Sequence, residues 1–151
     1  MNHSADQGFH RLWGKFEEYV AQNVGTDKEL SLDHPSSDTP LYVSAWIYIE
    51  CDIPDQQNGT RLQCGDKTYS QALKMRAAIS FHYNELGRGS ESWHQGRDGT
   101  WMGNPSLSKD VSRYMLSLQR RKVLIFLKMI TSDAFSSHLD GNDIYFSRGV
   151  D

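Results

Sequence analysis

The 151-residue chain predicts an all-α fold, a compact bundle of four to five helices with long loops, on three observations. Apolar residues recur at three- and four-residue spacing in several separate stretches. Those stretches are bounded by capping residues, Pro and Gly. The one run rich in β-branched and aromatic residues, VSAWIYI, has no second run to pair with as a sheet.

The first helix is expected over residues 9–23, where Phe9, Leu12, Trp13, Phe16 and Val20 share a face and Arg11, Lys15, Glu17 and Glu18 lie between them. Gly25 is its stop signal, and TDKELSLDHPSSDT follows as a loop or flexible connection. TPLYVSAWIYIEC then reads as a helix with Thr39 as N-cap and Pro40 in the first turn, although its residue types would also suit a strand. A turn-rich connector leads to KTYSQALKMRAAISFHYNELG, the longest helical segment, capped by Asp66 or Thr68 and ended by Gly87. Ala72, Met75, Ile79, Tyr83 and Leu86 form its main apolar face.

RGSESWHQGRDGTWMG, with its glycines, is expected to be a structured loop pinned by Trp93 and Trp101. Asn104 caps and Pro105 opens the next helix, whose stripe is Leu107, Val111, Tyr114, Met115 and Leu118. Beyond it, LIFLKMI is apolar, Thr131 or Ser132 is a cap for a short helix through Leu139, and the last dozen residues show no periodicity. The chain thus divides into an N-terminal helix and connector (1–38), a helical domain (39–123) and a divergent tail (124–151).

Composition is that of an ordinary globular domain, with 38% hydrophobic and 23% charged residues. No apolar run reaches membrane-spanning length and no basic-then-apolar leader opens the sequence, so an intracellular location is expected. Cys51 and Cys64 are too few for a disulfide framework, and with His82 and His94 they lack the close pairing a zinc site needs, so neither metal nor cofactor is expected. No nucleophile elbow, phosphate-binding loop or zinc-protease motif occurs, and His82 reads as a boundary histidine. A non-enzymatic role follows.

Charge is where the sequence becomes specific. Residues 1–66 hold four Lys/Arg against eleven Asp/Glu, a net of −7, while residues 67–128 hold eleven against four, a net of +7. On a helical wheel Lys109, Arg113 and Arg120 fall within about 40° of one another, opposite the apolar stripe, and Arg121 and Lys122 extend that face around the last turn. Cations there also complement the helix dipole, which is reason enough for a solvated end. Lys67, Ser70, Gln71 and Lys74 lie on the exposed side of the preceding helix, so two basic and polar surfaces are expected to form one cradle for nucleic-acid phosphates. Arg76 lies beside the apolar face, placed to snorkel, to pair with a buried acid or to contact a phosphate.

From Pro40 to about Val123, the succession of a T-x(6)-M/L-x-A helix, Gly, Asn-Pro and a V-x-x-Y-x-x-x-L helix with a basic end resembles the N-terminal core-binding domain of tyrosine recombinases and phage-type integrases. KTYSQALKMRAAISFHYNELGRG and GNPSLSKDVSRYMLSLQRRKV are similar to segments of fungal transposon-related proteins with that SAM-like helical domain. The resemblance implies a four-helix unit that clamps duplex DNA, with Thr68, Ser70, Gln71, Lys74, Lys109, Arg113, Arg120 and Arg121 facing it; Lys67 and Lys122 adjoin these positions on the wheels. In that family a separate C-terminal domain cleaves DNA, whereas only 28 residues follow Val123 here, and His94-x-x-Arg97 lies where the family has no active site. The expectation is a DNA-binding module that lacks its catalytic partner, with double-stranded DNA as ligand, self-association or a recombinase-type protein as possible further partner, and the nucleus as a compartment consistent with both. The alternative is a small helical protein-interaction module or a degenerate transposon remnant with no DNA role.

Overall fold

The computed structural model describes residues 3–29, 32–52 and 67–140, with side chains at all of these except 28–29 and 134–140. Five helices carry the fold: α1 (His3–Asn23), the single turn α2 (Thr26–Glu29), α3 (Thr39–Cys51), α4 (Tyr69–Glu85) and α5 (Lys109–Asp140). The all-α expectation holds, with one small addition. Residues 88–103, expected to be an irregular loop, contain a two-stranded antiparallel hairpin of β1 (His94–Gln95) and β2 (Trp101–Met102). Trp93 and Trp101 stack on each other there, ring centroids 5.2 Å apart.

Helix α1 begins six residues earlier than its apolar spacing suggested, and its Trp13, Phe16 and Val20 are buried. They join one core with Val43, Trp46 and Ile47 of α3, Ala72, Met75, Ile79 and Tyr83 of α4, and Val111, Met115 and Leu118 of α5. The first helix therefore belongs to the same core as the segment after residue 38 and is no separate unit. Leu86, assigned to the apolar face of α4, is exposed because the helix ends one residue before it.

The termini follow local chemistry. Thr68 takes extended backbone angles and its hydroxyl accepts from Gln71 N at 3.3 Å, a side-chain N-cap. Gly87, at φ 77°, lets the chain turn back so that Arg88 N reaches Tyr83 O at 2.8 Å. At α3 the helix already includes Thr39; Asp38 precedes it without a side-chain cap, and the Thr39 hydroxyl instead accepts from Ser36 N at 3.0 Å, closing the preceding turn. The Asp66 alternative for capping α4, Cys64, and the last eleven residues lie outside the described residues.

Two polar clusters fix the connections. Tyr83, fully buried, donates its hydroxyl to Leu32 O at 2.5 Å, while His82 stacks on Trp13 with centroids 3.6 Å apart and meets Asp33 Oδ1 at 2.9 Å. The connection from α2 to α3 is thereby held against α4. On the other flank Asn104, also fully buried, donates to Ser80 Oγ at 3.1 Å and Gly89 O at 2.8 Å, and accepts from Ser106 N at 3.0 Å. Asn104 caps as expected, but what it opens is a 3-10 turn, Pro105–Leu107, and α5 starts after Ser108. Gly103 sits where Ser92 O would lie 2.3 Å from an added Cβ, at φ 89°, so only glycine lets the hairpin close onto this turn.

Helix α5 departs most from expectation. It runs 32 residues without a break, absorbing LIFLKMI and the short helix expected after Thr131, so no boundary falls at residue 123. No Gly or Pro stands between Lys109 and Asp140, and the Leu, Met, Lys and Arg content of this span propagates a helix once started.

Candidate nucleic-acid interface

Which cations remain free is decided by where the acids of the first half lie. Asp52, the C-cap of α3, is half-buried beneath α5; its carboxylate accepts from Arg121 Nε at 3.2 Å and Nη2 at 2.5 Å, and from the Tyr114 hydroxyl at 3.3 Å. With 9% of its side chain exposed, that carboxylate depends on its partners for the solvation it has lost. Burial, then the negative charge of Asp52, pushes the Tyr114 phenol above its ordinary range, and the Asp52 hydrogen bonds raise the Arg121 guanidinium. Arg121 also donates to Ser117 Oγ and lies over the Tyr114 ring, 5.9 Å from its centroid.

Two more of the expected contact residues are held in the same region. Lys67 pairs with Glu50 of α3, and Lys122 Nζ donates to the Lys67 carbonyl at 3.2 Å. Partial burial, followed by the neighbouring Lys15, holds the Lys67 ammonium below its ordinary range. These three cations lock the C-terminal end of α3 and the start of α4 onto the middle of α5. Thr68 is occupied as the N-cap of α4. The basic run LQRRKV is thus divided: Arg121 and Lys122 hold the bundle together, and Arg120 is exposed.

The second expectation, one cradle from two helices, fails in its geometry for Lys74. Arg76 points from α4 toward α5, its Nε donating to Ser106 O and its Nη2 to Ser112 Oγ, both at 3.0 Å. Phe81 and Glu85 instead meet α1, through Phe9 with centroids 5.4 Å apart and through His10 at 3.6 Å. At about 100° per residue Lys74 falls on the flank of Phe81 and Glu85, roughly 160° around α4 from Arg76. Ser70 lies on that flank too, with Gln71 at its edge. The polar surface of α4 is therefore turned toward α1 and away from α5. Among the described residues Arg76 pairs with no acid; it ties the 3-10 turn to α5.

What remains is a single-helix surface. Lys109, Arg113 and Arg120 are exposed, and among the described residues none of them pairs with a carboxylate. Val111, Met115 and Leu118 define the buried side of α5, and the three cations point almost directly away from it. They span eleven residues, or roughly 16 Å of helix.

Cys51 is fully buried against Met75 Sδ at 3.7 Å, and burial pushes its thiol up to about 11, with the Lys122 charge opposing. Among the described residues no group of three His, Cys, Asp or Glu side chains is placed to hold a metal ion. A shallow groove between α1 and α4 is lined by Phe9, Leu73, Ala77 and Phe81, with Ser80 and Asn84 along it. No helix of the described residues is long and apolar enough to cross a membrane. No family model, no curated protein and no solved structure matches the chain.

Proposed function

We propose that this chain is a non-enzymatic DNA-binding module that contacts the phosphates of a duplex through the outer face of α5. The observation that supports it is the solvent-facing line of Lys109, Arg113 and Arg120, which stays clear of the acids that hold Arg121 and Lys67. Unpaired cations in a row keep their counterion-releasing capacity, and the intramolecular pairs have already lost theirs. The surface is narrower than the sequence suggested, three side chains on one helix rather than ten on two. Binding is correspondingly modest and largely independent of base sequence, because phosphate contacts position a protein without reading bases. The resemblance to recombinase core-binding domains agrees with this reading and suggests an origin for it.

Anisotropy titrations of a labelled duplex at several salt concentrations test the proposal. Three neutralised phosphates give a slope of log affinity against log salt of about −2.7. Lys109→Ala/Arg113→Ala/Arg120→Ala abolishes most of the binding. Absence of salt-sensitive binding at tens of micromolar protein rejects the reading.

A protein-interaction module is the second reading, and the exposed apolar residues of the second half of α5 favour it. The same triple variant separates the two, since a protein contact made by those apolar residues is indifferent to it.

A further inference from the structure

Val123, Leu124, Phe126, Leu127, Met129 and Ile130 are each at least half exposed on α5. The helix leaves its own bundle just before them. Arg121 is the last residue held by α3 and Lys122 the last held by the start of α4, and no later described residue bonds to another element. Phe126, Ile130, Val123 and Leu127 fall within about 100° on the wheel, a continuous stripe whose centre lies about 120° from the Val111/Leu118 core side. Leu116, 46% exposed, continues that stripe back along the bundle. We infer that this stripe is the seam of a two-fold, antiparallel homodimer in which α5 packs against α5 of a second copy.

Area and charge select this occupant. A half-exposed side chain of this size leaves on the order of 100 Å² in water, so Val123, Phe126, Leu127 and Ile130 amount to on the order of 400 Å² of stripe, with Leu124 and Met129 to either side of it. With Leu116 the stripe reaches on the order of 500 Å² per copy, or about 1,000 Å² over two copies, the lower bound of a specific interface. The stripe is also nearly self-complementary about a centre between Phe126 and Leu127, which sets Phe126 against Leu127 and Val123 against Ile130 of the second copy. The cations lie only on its N-terminal side. Parallel pairing would therefore set each Arg120 and Arg113 beside its own copy. Antiparallel pairing about that centre separates the two Arg120 side chains by thirteen residues, roughly 20 Å along the helices and beyond the screening length of about 8 Å at physiological salt. Lys128, the one charge between Val123 and Ile130, lies on the opposite side of the helix from the stripe. The inference does not depend on DNA binding.

Light scattering after size exclusion of the full chain at tens of micromolar gives about twice the 17.3 kDa monomer mass, and Phe126→Glu/Leu127→Glu gives the monomer with unchanged helix content. Orientation is read with a short bismaleimide on a Cys64→Ser background, in which Cys51 stays protected by burial. Leu127→Cys crosslinks between copies and Arg120→Cys does not. A wild-type monomer overturns the inference, in favour of cover by the chain's own residues outside the described ones. A dimer that crosslinks through Arg120→Cys overturns the antiparallel arrangement.

Discussion

Arg120 and Arg121 are adjacent in sequence, and their replacement by alanine separates a binding residue from a structural one. Arg121 makes two charge-assisted bonds to Asp52, at 3.2 and 2.5 Å, and packs on Tyr114. Breaking a fully buried pair costs about 3–5 kcal/mol, because the surviving charge is left without a partner. Here Asp52 is 9% exposed but Arg121 is 41% exposed, and water reaching the guanidinium reduces that penalty, to about 2 kcal/mol. For a chain of this length that is roughly 4–8 °C in Tm. Arg120→Ala removes a solvated side chain with no partner among the described residues and shifts stability by no more than about 0.5 kcal/mol. Urea unfolding followed by far-UV circular dichroism measures both, and duplex titration adds the second axis: Arg120→Ala weakens DNA binding without destabilising, and Arg121→Ala does the reverse. Equal stability losses for the two variants would refute the division of LQRRKV into a structural and a free part.

Three further outcomes are expected. Asn104→Ala leaves Ser80, Gly89 O and Ser106 N without the amide that joins them in a buried site, and lowers stability by about 2–3 kcal/mol in the same unfolding assay. Gly103→Ala places a Cβ against Ser92 O at a positive φ, costs at least about 1–3 kcal/mol, and unstacks the Trp93–Trp101 pair, seen as a change in tryptophan fluorescence. The Cys51 thiol is raised from 9.0 to about 11 in the fold, so its contribution is fully present below pH 9.0 and is lost as pH rises toward about 11, where the unfolded chain has already released that proton. Cys51→Ala therefore flattens the alkaline fall in stability, and the native thiol resists a thiol-reactive dye at neutral pH.

Much of the architecture was written in local pattern. Thr68 and Asn104 cap as their types and positions suggest, Gly87 ends α4, and the wheels select the buried Trp13/Phe16/Val20 and Val111/Met115/Leu118, together with the half-buried Phe9, Leu12 and Tyr114 and with Leu107, which is exposed in the 3-10 turn. Periodicity finds such features because they depend on residues a few places apart. The fate of the cations depends on residues much further away: Arg121 meets Asp52 across 69 positions and Lys122 meets Lys67 across 55. A wheel shows that a side chain points outward from its own helix and nothing of what lies there, which is why Arg121, Lys122 and Lys67 looked like contact residues. The unequal charge of the two halves was the available sign that acids and bases would pair across the fold. A basic cluster resembles a helix terminus, yet no Gly or Pro follows it in the sequence before Gly141, and α5 runs on past Lys122.

The central claim is that three cations on one face of α5 take the phosphates of a duplex. The most direct measurement is the salt dependence of duplex affinity for the wild type and for Lys109→Ala/Arg113→Ala/Arg120→Ala. A wild-type slope of about −2.7 that falls toward zero in the variant is the predicted result. A slope unchanged by the variant, or a wild type that binds no duplex at low salt, contradicts the account.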